Sequence, residues 1–470
     1  MPTGSTGFRI TTKLHPFWNV YFNGLGVAIA EKHEPIRNEN AHSYRFVFDG
    51  EGLFDRERSW RAYREATLKD RALQEPGAMV VQTDVSSFYE HIYHHRLQNC
   101  IADLFPKSPT IATQIDRLLS KFASGRSFGL PVGGQCARVL AELLMTSIDQ
   151  MLTDAGVIWH RYVDDFTLLT KSQEDAYRAL SVLSHSLADY GLSLNRTKTT
   201  ILSAKHYSDY VSTQLEGEGN DESRVLREID LHFDPYSDSK VGDYRDLKKT
   251  VQKLDIQLLI KMELNKGHPD TFLVAQIGRT LRFQSPLIAI QLCETLLDPK
   301  NLHAFRASWS TIMRGIAAVR SEADHEEIFD LLDRLLDDVP EHSAHLLLPE
   351  ASCLHYLKTI RFCKTRKRAQ YLLYLFEHTS TESIKRACID CWRQWLDRPN
   401  FIRLRNRWST LGPQAQRMVW LAAAEFGDDG KYSRLQVRKS LPNVWKLGIE
   451  QKNKSDFVSV FMDWAKDGIQ

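Results

Sequence analysis

Val157-Ile-Trp-His-Arg-Tyr-Val-Asp-Asp-Phe-Thr-Leu-Leu-Thr170 is the stretch on which the reading of this chain turns. Two apolar runs meet at Asp164 and Asp165. Asp is a poor strand residue and a good turn residue, so the pattern predicts a β-hairpin with a tight turn at Asp164-Asp165 and paired carboxylates at its tip. A lone Asp-Asp is usually an ordinary turn, and the context has to change that reading. Upstream, Met79-Val-Val-Gln-Thr-Asp84 is a β-branched run ending in an acid, which predicts a buried strand delivering Asp84 to its end. Val85-Ser-Ser-Phe-Tyr-Glu-His-Ile92 then turns into a helix.

An acid at one strand end beside an adjacent pair at a hairpin tip suits a particular chemistry. Phosphoryl transfer uses oxygen ligands that hold two hard divalent ions about 3.5–4 Å apart, one at the attacking hydroxyl and one at the leaving group. Carboxylates crowded this closely repel one another unless cations are present, which is itself an argument for a metal.

Four stretches, in order, carry a resemblance. Tyr162-Val-Asp-Asp165 resembles the YxDD box of reverse transcriptases, and Thr83-Asp-Val-Ser-Ser-Phe-Tyr89 resembles their first palm motif. Arg126-Ser-Phe-Gly-Leu-Pro-Val-Gly-Gly134, followed by a helix from Ala137 to Gln150, resembles the template-and-nucleotide motif. Gly191-Leu-Ser-Leu-Asn-Arg-Thr-Lys198 resembles the next motif, and the four together cover residues 79 to 202.

The resemblance implies roles. Asp84 and Asp164 would bind both metals, two Mg²⁺ or Mn²⁺ ions, with Asp165 assisting and the Val85 carbonyl completing the nucleotide-side metal. Tyr89 stands where such enzymes carry an aromatic under the sugar, favouring deoxynucleotides, while Phe88 reads as core. Pro131, Gly133 and Gly134 would let the backbone approach the base pair. Behind them Leu140, Leu143, Leu144 and Ser147 form an apolar face. Lys198 stands where the family has a lysine able to protonate departing pyrophosphate; a solvated lysine is the alternative. In the fingers, Arg45 and Arg61 are candidates for triphosphate or template, or ordinary surface arginines. Tyr44 is one candidate priming hydroxyl among 16 tyrosines.

Outward from these motifs, Ser172 with Asp175 predicts the start of the helix before the last motif, and Gly191 its end. The chain changes character near residue 210. Residues 208–243 are rich in Ser, Asp, Glu and Gly and read as a linker. From residue 244 onward nearly every segment has helical spacing, as in Ile328, Leu331, Leu332, Leu335 and Leu336. A stack of HEAT-like helical hairpins or a single bundle would both fit. The expected architecture is α+β: fingers in 1–78, palm in 79–207, linker in 208–243 and an α-helical repeat-like domain in 244–470.

With 470 residues, 43% hydrophobic, 26% charged and a net charge of +2, the chain has the composition of a multi-domain globular protein, and its charge excludes no partner. Seven scattered cysteines fit reduced thiols, and the lone Cys388/Cys391 pair reads as packing. No apolar run is long enough to span a bilayer, and Met1 to Arg9 lacks a signal-peptide pattern, so a cytoplasmic protein without membrane attachment is expected. Basic runs at Lys358, Arg361, Lys364-Thr-Arg-Lys-Arg368 and Arg403-Leu-Arg-Asn-Arg407, near Trp392, Trp395 and Trp408, read either as solvated helix faces or as a nucleic-acid track.

The branch of the family is legible at residues 130–142. Leu130-Pro-Val-Gly-Gly-Gln-Cys-Ala-Arg138-Val-Leu-Ala-Glu142 has Pro-Val-Gly where intron, retroviral and retron enzymes have Pro-Gln-Gly, and resembles abortive-infection and other defence-associated bacterial reverse transcriptases. That resemblance implies a deoxynucleotide polymerase in antiphage defence, protein-primed and untemplated or templated by a noncoding RNA, and assembled as a homo-oligomer. A general RNA-templated reverse transcriptase and an inert nucleic-acid-binding scaffold are the alternatives.

Overall fold

The structure is a computed structural model that describes residues 2–3, 7–47, 52–55, 57–216, 221–229, 247–266 and 269–437. Contacts divide the chain into two compact units, one spanning 10–218 and the other 219–470 together with 1–9. Among the described residues no helix is long and apolar enough to cross a membrane.

The first unit is built on one antiparallel sheet. After a two-residue pair, β1 (Pro2–Thr3) and β2 (Gly7–Phe8), which groups with the other unit, come β3 (Met79–Asp84), β4 (Ile158–Tyr162), β5 (Asp165–Thr170) and β6 (Thr200–Ser203). The last four form a sheet in the order β4-β5-β3-β6. Its helices are α1 (Pro16–His33), α2 (Trp60–Lys69), α3 (Phe88–His91), α4 (His94–Leu104), α5 (Thr110–Phe122), α6 (Gln135–Asp154), α7 (Gln173–Asp189) and α8 (Ala204–Glu216).

Strand alternation sorts the sheet's two faces. Val81, Phe166 and Leu168 join the large core with residues of α6 and α7, such as Leu144 and Leu183. Val80 and Leu169 join a smaller core with Leu73, Tyr207 and Val211. Helix α6 is buried on nearly every side, not only along the expected face: Cys136, Leu140, Met145 and Ile148 are all fully buried, whereas Ser147 is only partly so. Burying each such aliphatic side chain contributes on the order of 1.5–3 kcal/mol. Helix α7 begins and ends where the sequence predicts. The Ser172 side chain accepts the Asp175 N–H at 3.1 Å. Gly191 takes φ +75°, and a Cβ on it would clash with the Tyr93 ring.

The second unit is helical. Thr271–Thr280, Trp309–Ser321, Glu350–Ile360, Glu382–Gln394 and Pro413–Ala422 each pack against the next in that series. Pro286–Leu297, Phe329–His342 and Arg366–His378 form a parallel series alongside. This is the stacked, quasi-one-dimensional arrangement of helical repeats rather than a closed bundle. One continuous core runs through it, including Ile312, Leu336, Leu357 and Trp392. Cys388 and Cys391 are buried in that core.

The expected linker is replaced by helix at both ends. Residues 208–216 lie in α8, where Val211 is fully buried. Residues 221–228 form α9 (Asp221–Glu228), whose Leu226 is in the helical core and whose Leu226 carbonyl accepts from Gln276 at 3.2 Å. On α8 the exposed Asp209 and Thr213 share a helix with the buried Val211, a polar and apolar mixture that composition alone does not distinguish from a loop. Residues 230–243 lie outside the described residues.

Candidate active site

The hairpin forms, but its turn is one residue earlier than the sequence predicts. Asp165 already pairs with Tyr162 across the ladder, so the two turn residues are Val163 and Asp164. Two-residue hairpins need a positive φ at their first central position. Val163 supplies it at +58°, although it is β-branched. Such a conformation costs on the order of 1–3 kcal/mol and persists only where the surroundings hold it.

Here they do. The Val163 N–H donates to Ser43 Oγ at 2.8 Å, and the Val163 carbonyl accepts from Arg161 Nη1 at 2.9 Å. Ser43 Oγ in turn donates to Glu142 Oε1 at 2.5 Å. Arg161, fully buried, bonds both Glu142 and Asp149, the latter at 2.7 and 2.9 Å. Arg37 completes the group, donating to Glu142 Oε2 and to the Ser43 carbonyl, each at 2.6 Å. Burial alone would raise the Glu142 carboxyl; Arg161 and Arg37 outweigh it and hold the group below its ordinary value. The strained turn thus sits on a buried ionic network drawn from α6, β4 and the segment before residue 44.

The three aspartates meet as follows. Asp84 ends β3 directly opposite Asp165 on β5. The Val85 N–H donates to the Asp164 carbonyl at 3.1 Å, tying the turn to the end of β3. Burial raises the Asp164 carboxyl to about 6, with the charges of Asp165 and Asp84 adding to it. Asp165 is raised by burial and then by Asp84. Lys198 forms an ion pair with Asp84, and this hydrogen bond raises the ammonium group. Asn195 N–H donates to the Asp84 carbonyl at 2.7 Å, bringing the Lys198 segment to the strand end.

Among the described residues no group of three His, Cys, Asp or Glu side chains is arranged to hold a metal ion. One Asp84 oxygen is instead taken by Lys198. The donor set nevertheless fits hard divalent cations: it is all carboxylate oxygen, and burial, with the like charges of Asp165 and Asp84 added, pushes Asp164 toward its neutral form.

The remaining sequence candidates fall into two groups. Tyr89, Val85 and the loop at 126–134 are brought together. Leu130 N–H donates to the Tyr89 carbonyl at 2.8 Å, Gly129 N–H to the Ile92 carbonyl at 2.9 Å, and Gly129's carbonyl meets His94 Nε2 at 2.8 Å. Pro131 is buried, Gly133 takes φ +107°, and Gly134 caps α6. Phe88 is core, as expected. Tyr44 lies 6.5 Å from the Tyr162 ring, beneath the Arg138 guanidinium at 4.8 Å, and burial raises its hydroxyl.

The fingers arginines are placed elsewhere. Arg45 bonds Glu34 at 2.5 Å and the Asn38 carbonyl at 2.9 Å, so its guanidinium holds a turn. Arg61 is exposed on α2 and pairs with Glu65 at 3.0 Å. A cavity of about 480 Å³ beside Asp84, Asp165 and Lys198 is lined instead by Arg64. The Arg64 guanidinium lies 5.0 Å over Trp60 and 5.1 Å over Tyr63, and it is 8% exposed.

The basic runs of the helical unit are largely engaged within it. Arg361 pairs with Asp390, Lys364 with Asp397, Arg368 with Asp333 and Asp337, and Arg403 and Arg407 with Glu377. Trp392 is buried.

Sequence reading missed Arg64, Ser43, Arg37, Glu142, Asp149 and Arg161. One signal was available. Glu142 and Asp149 lie seven residues apart on α6, hence on one face, among apolar neighbours such as Leu143, Met145 and Ile148, and Arg161 interrupts the strand leading to the turn.

Comparisons with known proteins match parts of the chain. Residues 38–224 match the family model described as Reverse transcriptase (RNA-dependent DNA polymerase). A curated relative, the Retron Se72 reverse transcriptase of Salmonella heidelberg, is 25% identical over 140 residues, which is 28% of this chain and 36% of the relative. The chain therefore spans little more than a third of that relative's length. Among solved structures, telomerase from Candida albicans in complex with a TWJ fragment of telomeric RNA aligns with a TM-score of 0.33 at 13% identity, covering 66% of this chain and 56% of that one. Apo telomerase from Candida tropicalis aligns with a TM-score of 0.33 at 12% identity, covering 72% and 61%. The fold class is α+β: a fingers–palm domain of reverse-transcriptase type, followed by an all-α helical-repeat domain.

Proposed function

We propose that this protein is a reverse transcriptase-like polymerase that adds deoxynucleotides by two-metal phosphoryl transfer, and that it acts in antiphage defence. The observation that carries the reading is the meeting of Asp84, Asp164 and Asp165 at one end of the sheet, on a turn held in a strained conformation. Divalent cations, Mg²⁺ by preference, would be held by Asp84 and Asp164 with Asp165 assisting, and would supply activation of the 3′-hydroxyl and neutralisation of the leaving pyrophosphate. The chain's own groups do the rest. Tyr89, pinned through its carbonyl to Leu130, stands to exclude a ribose 2′-hydroxyl. Lys198, a cation within reach of Asp84, stands to return a proton to the departing pyrophosphate. Arg64 is better placed than Arg45 or Arg61 to contact an anion beside the carboxylates.

The defence role rests on the Leu130-to-Glu142 resemblance and on similarity to a retron enzyme. Priming by a protein tyrosine and templating by a noncoding RNA both remain within the proposal.

The test is incubation of the purified protein with Mg²⁺ and each labelled dNTP or NTP, first without template or primer and then with cellular RNA and a primer–template. Deoxynucleotide product that disappears in the Asp164→Ala, Asp165→Ala variant supports the reading. If the product stays with the protein until proteolysis, priming is by protein. Absence of product under every condition sinks the polymerase reading.

A further inference from the structure

We infer that the groove between α1 and α5 binds a single-stranded nucleic acid, stacking bases on the aromatic rings at the start of α1 and contacting phosphates through Arg117 and Lys121. The first two turns of α1 keep large rings in solvent: Phe17 is 62% exposed, Trp18 47% and Tyr21 38%. They do not collapse onto the core. Phe17 and Trp18 stand edge to face at 5.0 Å, and Trp18 and Tyr21 at 6.1 Å. Beside them lies a groove of about 710 Å³ whose lining includes Trp18, Tyr21, Leu118 and Phe122 together with Arg117 and Lys121. The lining contains no carboxylate among the described residues. Arg117 and Lys121 are exposed, and neither has an ion-pair partner among the described residues.

That combination chooses among occupants. A second copy of the chain, or another protein laying an apolar face here, would bury two cations without counter-ions, which is costly. A nucleic acid supplies ring faces for Trp18 and Tyr21 and anions for Arg117 and Lys121 at once. A duplex keeps its base faces inside the stack, so the fit is to a single strand.

The groove also adjoins the loop at 126–134. A second cavity, of about 180 Å³, shares Thr12 and Phe122 with the first and extends to Phe128 and Pro131. The loop it reaches is the one whose Leu130 is bonded to Tyr89. Glu90 is the carboxylate among the described residues lining this second cavity, and it belongs to α3 rather than to α1 or α5. That the bound strand is the one copied or made rests on the polymerase reading; the binding itself does not.

The experiment uses the full chain in EDTA, so that binding is read without chemistry. A short single strand substituted with iodouracil is photocrosslinked, and the adducts are mapped by mass spectrometry. Binding constants are measured as a function of salt for wild type, Trp18→Ala, Trp18→Phe and the Arg117→Gln, Lys121→Gln variant. Adducts should fall on Trp18 or Tyr21. Trp18→Ala should weaken binding roughly ten-fold or more with the salt slope unchanged, and Trp18→Phe should restore most of it. The charge variant should reduce the salt slope by roughly 1.4, about 0.7 for each phosphate no longer neutralised. Adducts elsewhere with unchanged constants would overturn the inference. So would a change of oligomeric state by light scattering with nucleic-acid binding intact, which would assign the groove to a second copy. If wild type makes no product yet crosslinks at Trp18, the polymerase reading fails and the groove stands. If it makes product and crosslinks elsewhere, the groove alone fails.

Discussion

Charge is handled in opposite ways in the two units. In the helical array, cations and carboxylates from successive helices neutralise each other. Arg368, 1% exposed, sits between Asp333 and Asp337 at 3.0 and 2.6 Å, and Asp333 also takes Arg320 at 3.2 Å. At the tip of the palm hairpin, carboxylates collect faster than cations do, and burial together with those like charges pushes Asp164 up to about 6. Balanced ion pairs between neighbouring elements mark a region whose charges hold the fold together. A like-charged cluster on a strained turn marks one where stability has been given up for chemistry. The palm does contain a balanced network as well, the Arg37–Glu142–Arg161–Asp149 group, and it lies directly beneath the unbalanced one.

The largest effect should come from removing the unbalanced cluster. The Asp164→Ala, Asp165→Ala variant should lose nucleotide incorporation on the order of ten thousand-fold while remaining folded, since Asp164 lies in the turn and Asp165 at the adjoining end of β5, both half-buried and neither in the hydrophobic core. Retention of substantial incorporation would mean the cluster is not the catalytic group.

Next in size is the supporting network. Glu142→Ala leaves Arg37 and Arg161 buried and unpaired, and should cost about 3–5 kcal/mol in denaturant unfolding. It should also abolish activity by releasing Ser43 from its role at Val163. A loss under about 1 kcal/mol would show that the network is solvated in solution.

The comparison sharpens to a difference of sign when the same substitution is made in each unit. Burial raises Asp164, so the metal-free folded state keeps a proton there up to about pH 6, which the unfolded chain has released by about pH 4. Stability is therefore greatest at the acid end of this window and falls as pH rises through about 6, by up to about 3 kcal/mol. Asp164→Asn should consequently raise the Tm of metal-free protein at pH 8. Mg²⁺ should raise the Tm of wild type but not of this variant. In the helical unit, Asp333→Asn should lower stability by about 1–3 kcal/mol, because Arg320 loses the Asp333 charge and Arg368 keeps only that of Asp337. If both substitutions shift Tm in the same direction, the contrast between the units fails.

The smallest effect is expected at the turn itself. Val163→Gly removes the left-handed strain but adds unfolded-state freedom, so chemical denaturation should show a change below about 1 kcal/mol. A loss of several kcal/mol would mean that the Val163 side chain, 8% exposed, contributes packing that outweighs its strain.

Much of this was legible in the residues. The strand ending at Asp84, the hairpin, the caps of α7 at Ser172 and Gly191, and the helical half all follow from local periodicity and turn chemistry. Such signals act over a few residues and survive without tertiary context. The turn register did not follow, because a valine at positive φ contradicts local preference and needs Ser43 and Arg161 to hold it. Residues 208–216 and 221–228 are helical where their composition read as loop, because Ser, Asp and Glu occur in both, although the two units do meet within 208–243, at residues 218 and 219.

By itself, the sequence determined which residues could carry the chemistry and in what order they occur along the chain. Only the tertiary structure decided which charges were free to serve it. Arg45, Arg61 and the basic runs of the helical unit read as candidates until their partners, up to tens of residues away, were seen to engage them. Arg64, Arg117 and Lys121 gave no sequence signal, because a cation's availability depends on what packs beside it. The electrostatic partners that settle the question are brought together by long-range packing, which one-dimensional order does not record.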